Sequence, residues 1–459
     1  MKRNFDSIII GAGQAGPSLA GRLAAAGMKV ALIERKFFGG TCVNTGCTPT
    51  KAMVASAYAA HLARRAGDYG VLVGGEITID MKKVQARAAK LTLDSRSGLE
   101  NWLTGMENCT VIRGHARFVD QHTLEVGGET LSAARIFINV GGRAARPNMP
   151  GIDQVKVLDN TDMVALDQVP RHLVVVGGSY VGLEFAQMFR RFGAEVTMVE
   201  KGPRLVSRED DDVSASIKDI FEREGITIRL DAECIRFDPY GDEIRVGLHC
   251  AREPRDVVGS HVLLAVGRRA NTDDLGLEEA GIARDARGFI TVDDRLATNV
   301  EGVFALGDCN GRGAFTHTAY NDFEIVAANL LDGESRKVSN RVSGYALFID
   351  PPLGRAGMSE TEAQRAGLPV LVGTRPMTRV GRAVEKGETL GFMKVVADAR
   401  SGKILGAAIL GPGGDEAIHG ILDAINVGTS YRDLQWAVPI HPTVSELIPT
   451  VIGAMQQSG

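Results

Sequence analysis

The chain has 459 residues, of which 44% are apolar, and it carries a formal net charge of -4 at pH 7. Its length predicts about three domains of roughly 150 residues each, and its charge leaves no basic stripe to favour nucleic acid as a partner. The sequence contains no apolar run of about 18 residues and no signal-peptide core before the first strand, so we expect a cytoplasmic protein with no membrane partner. The six cysteines are too few for a disulfide scaffold.

The N-terminal segment has the pattern of a dinucleotide-binding unit. A buried strand over 7–10 leads into Gly11, Gly13 and Gly16, a helix follows to about residue 26, and the next strand ends at Glu34. In such a unit the first glycine permits the turn, the second lets a pyrophosphate approach the backbone, and the third packs helix against strand. Glu34 is predicted to accept hydrogen bonds from an adenosine ribose.

Two cysteines, Cys42 and Cys47, follow this unit directly. Residues 44–46 favour a tight turn, and Pro49 fits only the first turn of a helix, so both sulfurs are expected at a helix N-terminus. The helix dipole there favours thiolate over thiol. The segment therefore predicts a redox dithiol, and a buried, inert pair is the alternative. The remaining cysteines are expected to be small core residues: Cys109, Cys234, Cys250 and Cys309.

Helices and short strands are predicted for the next hundred residues. The helical patterns cover 47–65 and 80–103, and the strand patterns follow at 110–113, 116–119, 123–126 and 135–140. Glycine and proline breaks at 141–143 and 147–151 mark a boundary.

A second copy of the nucleotide motif follows this boundary. The strand 172–176 precedes Gly177, Ser179 and Gly182, and a helix and strand then lead to Glu200. Two such copies predict two bound dinucleotides. Ser179 replaces the middle glycine and crowds the pyrophosphate slightly. A carboxylate at position 200 can hold the ribose diol of NAD and would repel the 2′-phosphate of NADP, so we predict NADH over NADPH.

The rest of the chain predicts a return to the first domain and then a further domain. Strands are expected at 262–266 and 303–308, and a helix is expected over 318–331. Alternating strands follow residue 335. The predicted helices after this point cover 359–366, with a capping box between Ser359 and Glu362, then 415–427 and 444–454.

Taken together, these motifs resemble the pyridine nucleotide-disulfide oxidoreductases, the flavoprotein family that includes dihydrolipoamide dehydrogenase, glutathione reductase and mercuric reductase. The resemblance implies an α/β fold with two Rossmann-like domains and a C-terminal α+β dimerisation domain. It also implies that FAD binds the first nucleotide unit and NAD the second. The implied domains are FAD-binding over 1–145 and 271–335, NAD(P)-binding over 146–270, and interface over 336–459, in a homodimer with shared active sites.

The resemblance assigns roles to individual residues. Cys47 matches the charge-transfer thiol beside the flavin, and Cys42 matches the interchange thiol that attacks the substrate. Lys51 and Glu184 match an ion pair near flavin N5, and Tyr180 matches an aromatic lid over the nicotinamide, although it also fits a half-buried core aromatic. The resemblance also implies cofactor-binding roles for four further residues: Thr41, Gly267, Asp308 and Ala319.

The same resemblance pairs His441 with Glu446 as a proton-transfer dyad that serves the partner subunit. An imidazole can cycle its proton near pH 7, and a carboxylate on its other nitrogen fixes the tautomer. Glu446 also fits a simpler role as a helix cap together with Thr443.

The expected substrate is a disulfide or dithiol, with dihydrolipoamide dehydrogenase-like activity as the first choice and no bound metal. Mercuric reductase needs adjacent C-terminal cysteines, and the tail over 453–459 contains none, so Hg(II) reduction is not expected. The alternatives are a mercuric-reductase-like metal or oxidant reductase, a glutathione-type disulfide reductase, a thiol-independent NADH oxidase or quinone reductase, and a redox-sensing or complex-anchoring component.

Overall fold

The computed structural model describes residues 2–249 and 256–458 and divides into two compact units. The first unit runs to Met53 and also contains Lys82–Ala145 and Gly267–Arg341. The second contains Val54–Met81, Arg146–Val266 and the residues from Val342 onward. The predictions for Cys250 and for the side chain of Cys234 lie outside the described part.

The first unit is built on a seven-stranded sheet. Its central strand Lys2–Ile10 pairs in parallel with Val30–Glu34 on one side and Glu129–Ile138 on the other. Ile8, Ile9 and Ile10 are buried, as expected for a strand covered on both faces. The remaining strands are Cys109–Arg113, Ala116–Asp120, Thr123–Val126 and Val303–Ala305, and a two-stranded ribbon joins Gly142–Ala144 to Arg268–Ala270.

Four helices of this part of the chain agree closely with the predicted spans, namely Ala15–Ala25, Cys47–Arg65, Met81–Thr104 and Thr316–Leu331. The short helix Gly40–Thr45 was not predicted, and it includes Asn44 and Thr45, which were expected to form a tight turn. The predicted strand 303–308 is too long, because Gly307 takes a positive φ of 72° and starts the 3-10 helix Gly307–Asn310.

The second unit contains a five-stranded parallel sheet with the order Thr227–Arg229, Glu195–Val199, His172–Val176, His261–Leu264 and Val157–Leu158. Between the strands Thr227–Arg229 and His261–Leu264, the chain forms a three-stranded antiparallel sheet of Glu233–Tyr240, Glu243–His249 and Asp256–Gly259. The helices of this part are Asn160–Ala165, Tyr180–Phe192 and Asp211–Arg223. The first and last of these were not predicted.

A six-stranded antiparallel sheet forms the C-terminal part of the second unit. Its strands in order are Gly344–Leu347, Leu353–Gly357, Ile404–Leu410, Phe392–Asp398, Val370–Pro376 and Gln456–Gln457. The helices are Glu360–Arg365, Gly381–Glu385, Gly414–Asn426, Tyr431–Leu434 and Ile448–Gly453. Both predicted capping-box bonds are confirmed, at 3.0 Å from the Glu362 N–H to Ser359 Oγ and 2.9 Å from the Ser359 N–H to Glu362 Oε2.

The predicted helix 444–454 is shorter than expected. Ser445–Leu447 forms a 3-10 turn, and the α-helix begins only at Ile448, where Pro449 occupies the first turn and lacks the N–H that a longer helix would use. Over residues 2–249 and 256–458, no helix is both long and apolar enough to cross a bilayer.

Candidate active site

The dithiol loop lies directly against the first glycine-rich turn. Cys42 belongs to the short helix Gly40–Thr45, and Cys47 is the first residue of the long helix Cys47–Arg65. The Gly39 N–H donates to the Ala12 carbonyl at 2.8 Å, and a Cβ on Gly40 would lie 2.9 Å from the Gly13 Cα. The two thiols are therefore attached to the backbone that would hold a pyrophosphate.

The two thiols have unequal proton affinities. Both are free, and a hydrogen bond from the Cys42 thiol is the largest cause that lowers the pKa of Cys47 to about 6. The same bond, with burial, raises the pKa of Cys42 well above its usual range. Thr316 Oγ1 lies 3.2 Å from Cys47 Sγ, and it and the positive charge of Lys51 favour the thiolate further. Cys47 is thus the thiolate at neutral pH, and Cys42 keeps the shared proton.

The first glycine-rich turn leaves room for a ligand at one position only. Gly11 has a φ of +106°, and a Cβ there would lie 2.3 Å from the Asn139 carbonyl oxygen. A Cβ on Gly16 would lie 2.2 Å from the Gly11 oxygen, whereas a Cβ on Gly13 would find its nearest atom at 3.4 Å. The protein itself requires the outer glycines, and the open space at Gly13 fits a phosphate that approaches the backbone.

The two nucleotide units hold their strand-end acids in the same way. Glu34 Oε2 accepts from the Ala12 N–H at 2.9 Å, and its Oε1 accepts from the Lys36 N–H at 2.7 Å. In the second unit Glu200 Oε2 accepts from the Gly178 N–H at 2.5 Å, and its Oε1 accepts from the Gly202 N–H at 2.7 Å. Each carboxylate is fixed beside its glycine-rich turn, as the recognition of a ribose diol requires.

The glycines of the second turn are also required by close backbone contacts. Gly177 has a φ of +115°, and a Cβ there would lie 2.4 Å from the Ala265 oxygen. A Cβ on Gly182 would lie 2.2 Å from the Gly177 oxygen. Ser179, in the middle position, is exposed and immediately precedes the helix Tyr180–Phe192, so its side chain does not fill the turn.

Asp308 and Thr41 share a neighbour that sequence reasoning missed. Arg268 Nε lies 3.6 Å from Asp308 Oδ2, and Arg268 Nη2 donates to Thr41 Oγ1 at 3.4 Å. Burial raises the pKa of Asp308, and the Arg268 charge opposes that effect. The only sequence signal for Arg268 is its position directly after Gly267, close to the end of a buried strand. In the structure Gly267 has a φ of 122°. Ala319 is buried on the helix that also carries Thr316.

Lys51 lies in the first unit and Glu184 in the second. Glu184 is buried, and its Oε1 accepts from the Phe348 N–H at 3.1 Å. Tyr180 is half-buried, with its ring 5.3 Å from that of Tyr345 at an interplanar angle of 81°. The ion pair and the lid remain predictions.

His441 and Glu446 are hydrogen-bonded to each other in the second unit. His441 Nδ1 lies 2.8 Å from Glu446 Oε2, and the imidazole side chain is 81% exposed. The Thr443 N–H also donates to Glu446 Oε2 at 3.4 Å, while Thr443 Oγ1 donates to the Ile440 carbonyl. Glu446 therefore supports the imidazole and the backbone turn at once. Since the carboxylate occupies Nδ1, Nε2 faces outward.

Across the described ranges, His, Cys, Asp and Glu side chains form no group of three or more that could hold a metal ion. The site therefore combines two glycine-rich turns, each with a fixed acid, and a polarised dithiol beside the first turn, which is the arrangement expected of a disulfide oxidoreductase with two nucleotide cofactors.

Comparison with known proteins specifies the class. Residues 5–322 match the family model described as pyridine nucleotide-disulphide oxidoreductase, and residues 344–452 match the dimerisation domain of that family. The probable pyridine nucleotide-disulfide oxidoreductase RclA of Escherichia coli is 34% identical over 450 residues, which cover 96% of this chain and 97% of that protein. The dihydrolipoyl dehydrogenase of Chlamydia muridarum is 33% identical over 97% of this chain and 96% of its own.

Solved structures agree with these matches. The HOCl-induced flavoprotein disulfide reductase RclA from Escherichia coli has a TM-score of 0.89 at 34% identity and covers 98% of this chain and 99% of its own. The chain belongs to the pyridine nucleotide-disulfide oxidoreductases. It is accordingly an FAD-dependent enzyme that uses NAD(P)H and carries a homodimerisation domain.

Proposed function

We propose that this enzyme moves electrons between NADH and a substrate disulfide through FAD and the Cys42–Cys47 pair, in the manner of a dihydrolipoamide dehydrogenase. The observation that carries the proposal is the hydrogen-bonded thiol pair, whose Cys47 pKa is lowered to about 6, seated on the first glycine-rich turn. Bound FAD supplies two-electron chemistry between the nicotinamide and the sulfur pair. The domains proposed for these tasks are 1–145 with 271–335 for FAD, 146–270 for NAD, and 336–459 for the interface.

The two cysteines divide the sulfur chemistry. Two electrons and one proton convert the Cys42–Cys47 disulfide into a Cys47 thiolate and a Cys42 thiol. His441 of the partner subunit removes the Cys42 proton, and Cys42 Sγ attacks the substrate disulfide to form a mixed disulfide. The expelled substrate sulfur takes the proton from the imidazole. Cys47 then attacks Cys42 Sγ, which restores the enzyme disulfide and releases the second substrate sulfur, protonated by solvent. A dihydrolipoyl substrate reverses these steps.

The surroundings of His441 support a shared active site in a homodimer. Trp436, Val438 and Ile440 are 82%, 96% and 79% exposed, and they immediately precede the imidazole. Apolar side chains exposed to this degree on one segment are typical of a protein interface. In our proposal the partner subunit covers them, and His441 with Glu446 faces the partner's thiols.

The other family matches complete the proposal. Asp308 would bind the FAD ribitol with Arg268 as its neighbour, and the buried backbone at Ala319 would lie near the flavin pyrimidine. Lys51 would lie near flavin N5 with Glu184 as its ion-pair partner, and Tyr180 would cover the nicotinamide pocket.

A substrate panel tests this function. We expect NADH to support rapid reduction of lipoamide, and alkylation of the NADH-reduced thiols to abolish it. Turnover that survives alkylation would favour a thiol-independent oxidase or quinone reductase and would overturn the proposal. Glutathione disulfide and Hg(II) complete the panel. Cu(II) is included because one solved structure of the Escherichia coli RclA is a Cu(II) complex. The second candidate function is a metal-ion reductase, since the Cys47 thiolate is a soft ligand for such ions.

The first prediction concerns the nicotinamide cofactor. Both Glu200 oxygens accept backbone N–H groups, which holds the carboxylate where it would repel a 2′-phosphate. We expect kcat/KM for NADH to exceed that for NADPH by about tenfold or more. Glu200→Gln, which keeps the shape and removes the charge, should lower the ratio of the two kcat/KM values. Glu195→Gln, at the exposed start of the strand Glu195–Val199 that leads to Glu200, should leave this ratio unchanged. A clear preference for NADPH would contradict the proposed role of Glu200.

The second prediction concerns the pH range in which Cys47 is charged. Because Thr316 Oγ1 donates to the thiolate, Thr316→Val should raise the pKa of Cys47 from about 6 to between roughly 7 and 8, since a hydrogen bond to a charged group contributes about 1.5–3 kcal/mol. The thiolate is present above this pKa and is lost below it. The measurement is the ultraviolet thiolate absorbance of the reduced holoenzyme against pH, with Cys47→Ser as the blank. An unchanged midpoint would exclude a contribution from Thr316.

A further inference from the structure

A buried polar cluster in the second unit adjoins Tyr180 and takes no part in the thiol chemistry. The Tyr345 hydroxyl donates to Glu209 Oε1, and Arg355 Nε lies 3.9 Å from Glu209 Oε2. Tyr345 and Arg355 are directly opposite each other in the antiparallel strands Gly344–Leu347 and Leu353–Gly357. Residues in register on paired strands share a face, so both side chains reach the same carboxylate.

Two of the three side chains in this cluster are almost inaccessible to solvent, and Tyr345 is half-buried. Glu209 is 2% exposed and Arg355 is 4% exposed. Burial raises the pKa of Glu209, and the Arg355 charge and the Tyr345 hydroxyl oppose that effect. Burial and the carboxylate raise the pKa of Tyr345 far above its usual value, so its hydroxyl stays protonated and donates. Within the described part of the chain Glu209 Oε2 has no hydrogen-bond partner, so the buried carboxyl group is stabilised by the Tyr345 hydroxyl on Oε1 and by the nearby Arg355 charge.

Glu209 is also connected to the second glycine-rich turn through the backbone. Its N–H donates to the Val206 carbonyl at 2.8 Å, and the Val206 N–H donates to the Gly178 carbonyl at 2.8 Å. Val206 has a φ of 41°, a conformation that a β-branched residue rarely adopts and that its surroundings must maintain. The loop before Asp211–Arg223 is therefore fastened to the turn at one point and to the buried cluster at another.

Tyr345 joins this cluster to Tyr180. Its hydroxyl bonds Glu209, while its ring lies edge-on to the Tyr180 ring at 5.3 Å and 81°. Tyr180 is the first residue of the helix that follows the turn. A shift of the Tyr345 ring would therefore displace the Tyr180 ring at the start of that helix.

We propose that Glu209, Arg355 and Tyr345 form a clamp that positions the Tyr180 ring for NADH binding, which makes Tyr345 and Glu209 positioning residues for the nicotinamide cofactor. The inference rests on the proposed function in one respect, namely that Tyr180 lines the nicotinamide pocket. It adds residues from the C-terminal sheet to the determinants of cofactor affinity.

The test is a double-mutant cycle on NAD⁺ binding, measured by calorimetry with the oxidised holoenzyme. Tyr345→Phe keeps the ring and removes the bond to Glu209, so we expect NAD⁺ to bind about five- to tenfold more weakly. In a Tyr180→Ala background the same change should have little effect, because the clamp acts through Tyr180. Glu209→Gln alters the same contact from the other side and should show the same dependence on Tyr180.

Tyr240→Phe is the matched control, since Tyr240 is an exposed tyrosine of the same unit, and NAD⁺ affinity should not change. Thermal unfolding of each variant shows whether it is folded. An unchanged dissociation constant for Tyr345→Phe, or an equal loss with and without Tyr180, would overturn the clamp. If NADH does not reduce the flavin of the unmutated enzyme, the proposed function itself fails; if it does, only the clamp is at stake.

Discussion

Cys47→Ser and Cys42→Ser are each expected to lower NADH-dependent disulfide reduction by about 10³-fold or more, because residues that act as one catalytic unit lose nearly all turnover when either is removed. FAD should remain bound in both variants. The glycines and Glu34 that fit the dinucleotide are unchanged, and a serine hydroxyl occupies less space than a thiol. The measurement is steady-state turnover of lipoamide per bound flavin.

Cys109→Ser provides the matched control for this experiment. Cys109 is a half-buried thiol on an outer strand of the same unit, and burial raises its pKa rather than lowering it. Turnover of that variant should stay close to that of the unmutated enzyme. Near-normal turnover by Cys42→Ser or Cys47→Ser would rule out the dithiol relay.

His441→Gln is expected to lower disulfide turnover by about 10²- to 10⁴-fold, the usual contribution of a positioned general acid–base group. Glu446→Gln should have a smaller effect, because the amide still contacts Nδ1 but no longer stabilises the charged imidazole. Reduction of the flavin by NADH should be unchanged in both, since the dyad acts only on sulfur. His419→Gln, an exposed histidine on the helix Gly414–Asn426, is the control.

Mixed dimers test whether His441 serves the partner subunit. A dimer of one Cys47→Ser chain and one His441→Gln chain has one intact site if the sites are shared, and no intact site if each chain is self-sufficient. Co-refolding equal amounts of two inactive variants should then recover roughly a quarter of the full activity. No recovery, with mixed dimers demonstrated, would show that the imidazole does not act across the interface.

Local sequence signals were enough to predict most elements of this fold. The strand 172–176 is a short apolar run followed by a glycine turn, and the capping box joins two residues only three positions apart, Ser359 and Glu362. The first strand was predicted only over its apolar half, 7–10, because residues 2–6 are mostly polar and join the strand by pairing with Glu129–Ile138. The prediction was less accurate where long-range pairing or a backbone irregularity decides the end of an element. Examples are the strand Glu129–Ile138, which extends through its pairing with Lys2–Ile10, and the 3-10 turn that begins at Gly307.

The candidate site was predictable only where its residues are close in sequence. Cys42 and Cys47, or His441 and Glu446, are five residues apart, so one turn brings each pair together. Thr316 and Arg268 were missed because each reaches the dithiol loop from more than two hundred residues away. The Glu209 clamp was missed for the same reason, since two paired strands supply Tyr345 and Arg355.

The most direct test of the central claim is an anaerobic count of free thiols in denatured enzyme before and after NADH. The chain has six cysteines, so with Cys42 and Cys47 joined as a disulfide four thiols should react before NADH is added and all six afterwards. In Cys42→Ser the count should not respond to NADH. A flavin that NADH bleaches while the thiol count of the unmutated enzyme stays constant would contradict the account, because the electrons would then remain on the flavin and would not reach the sulfur pair.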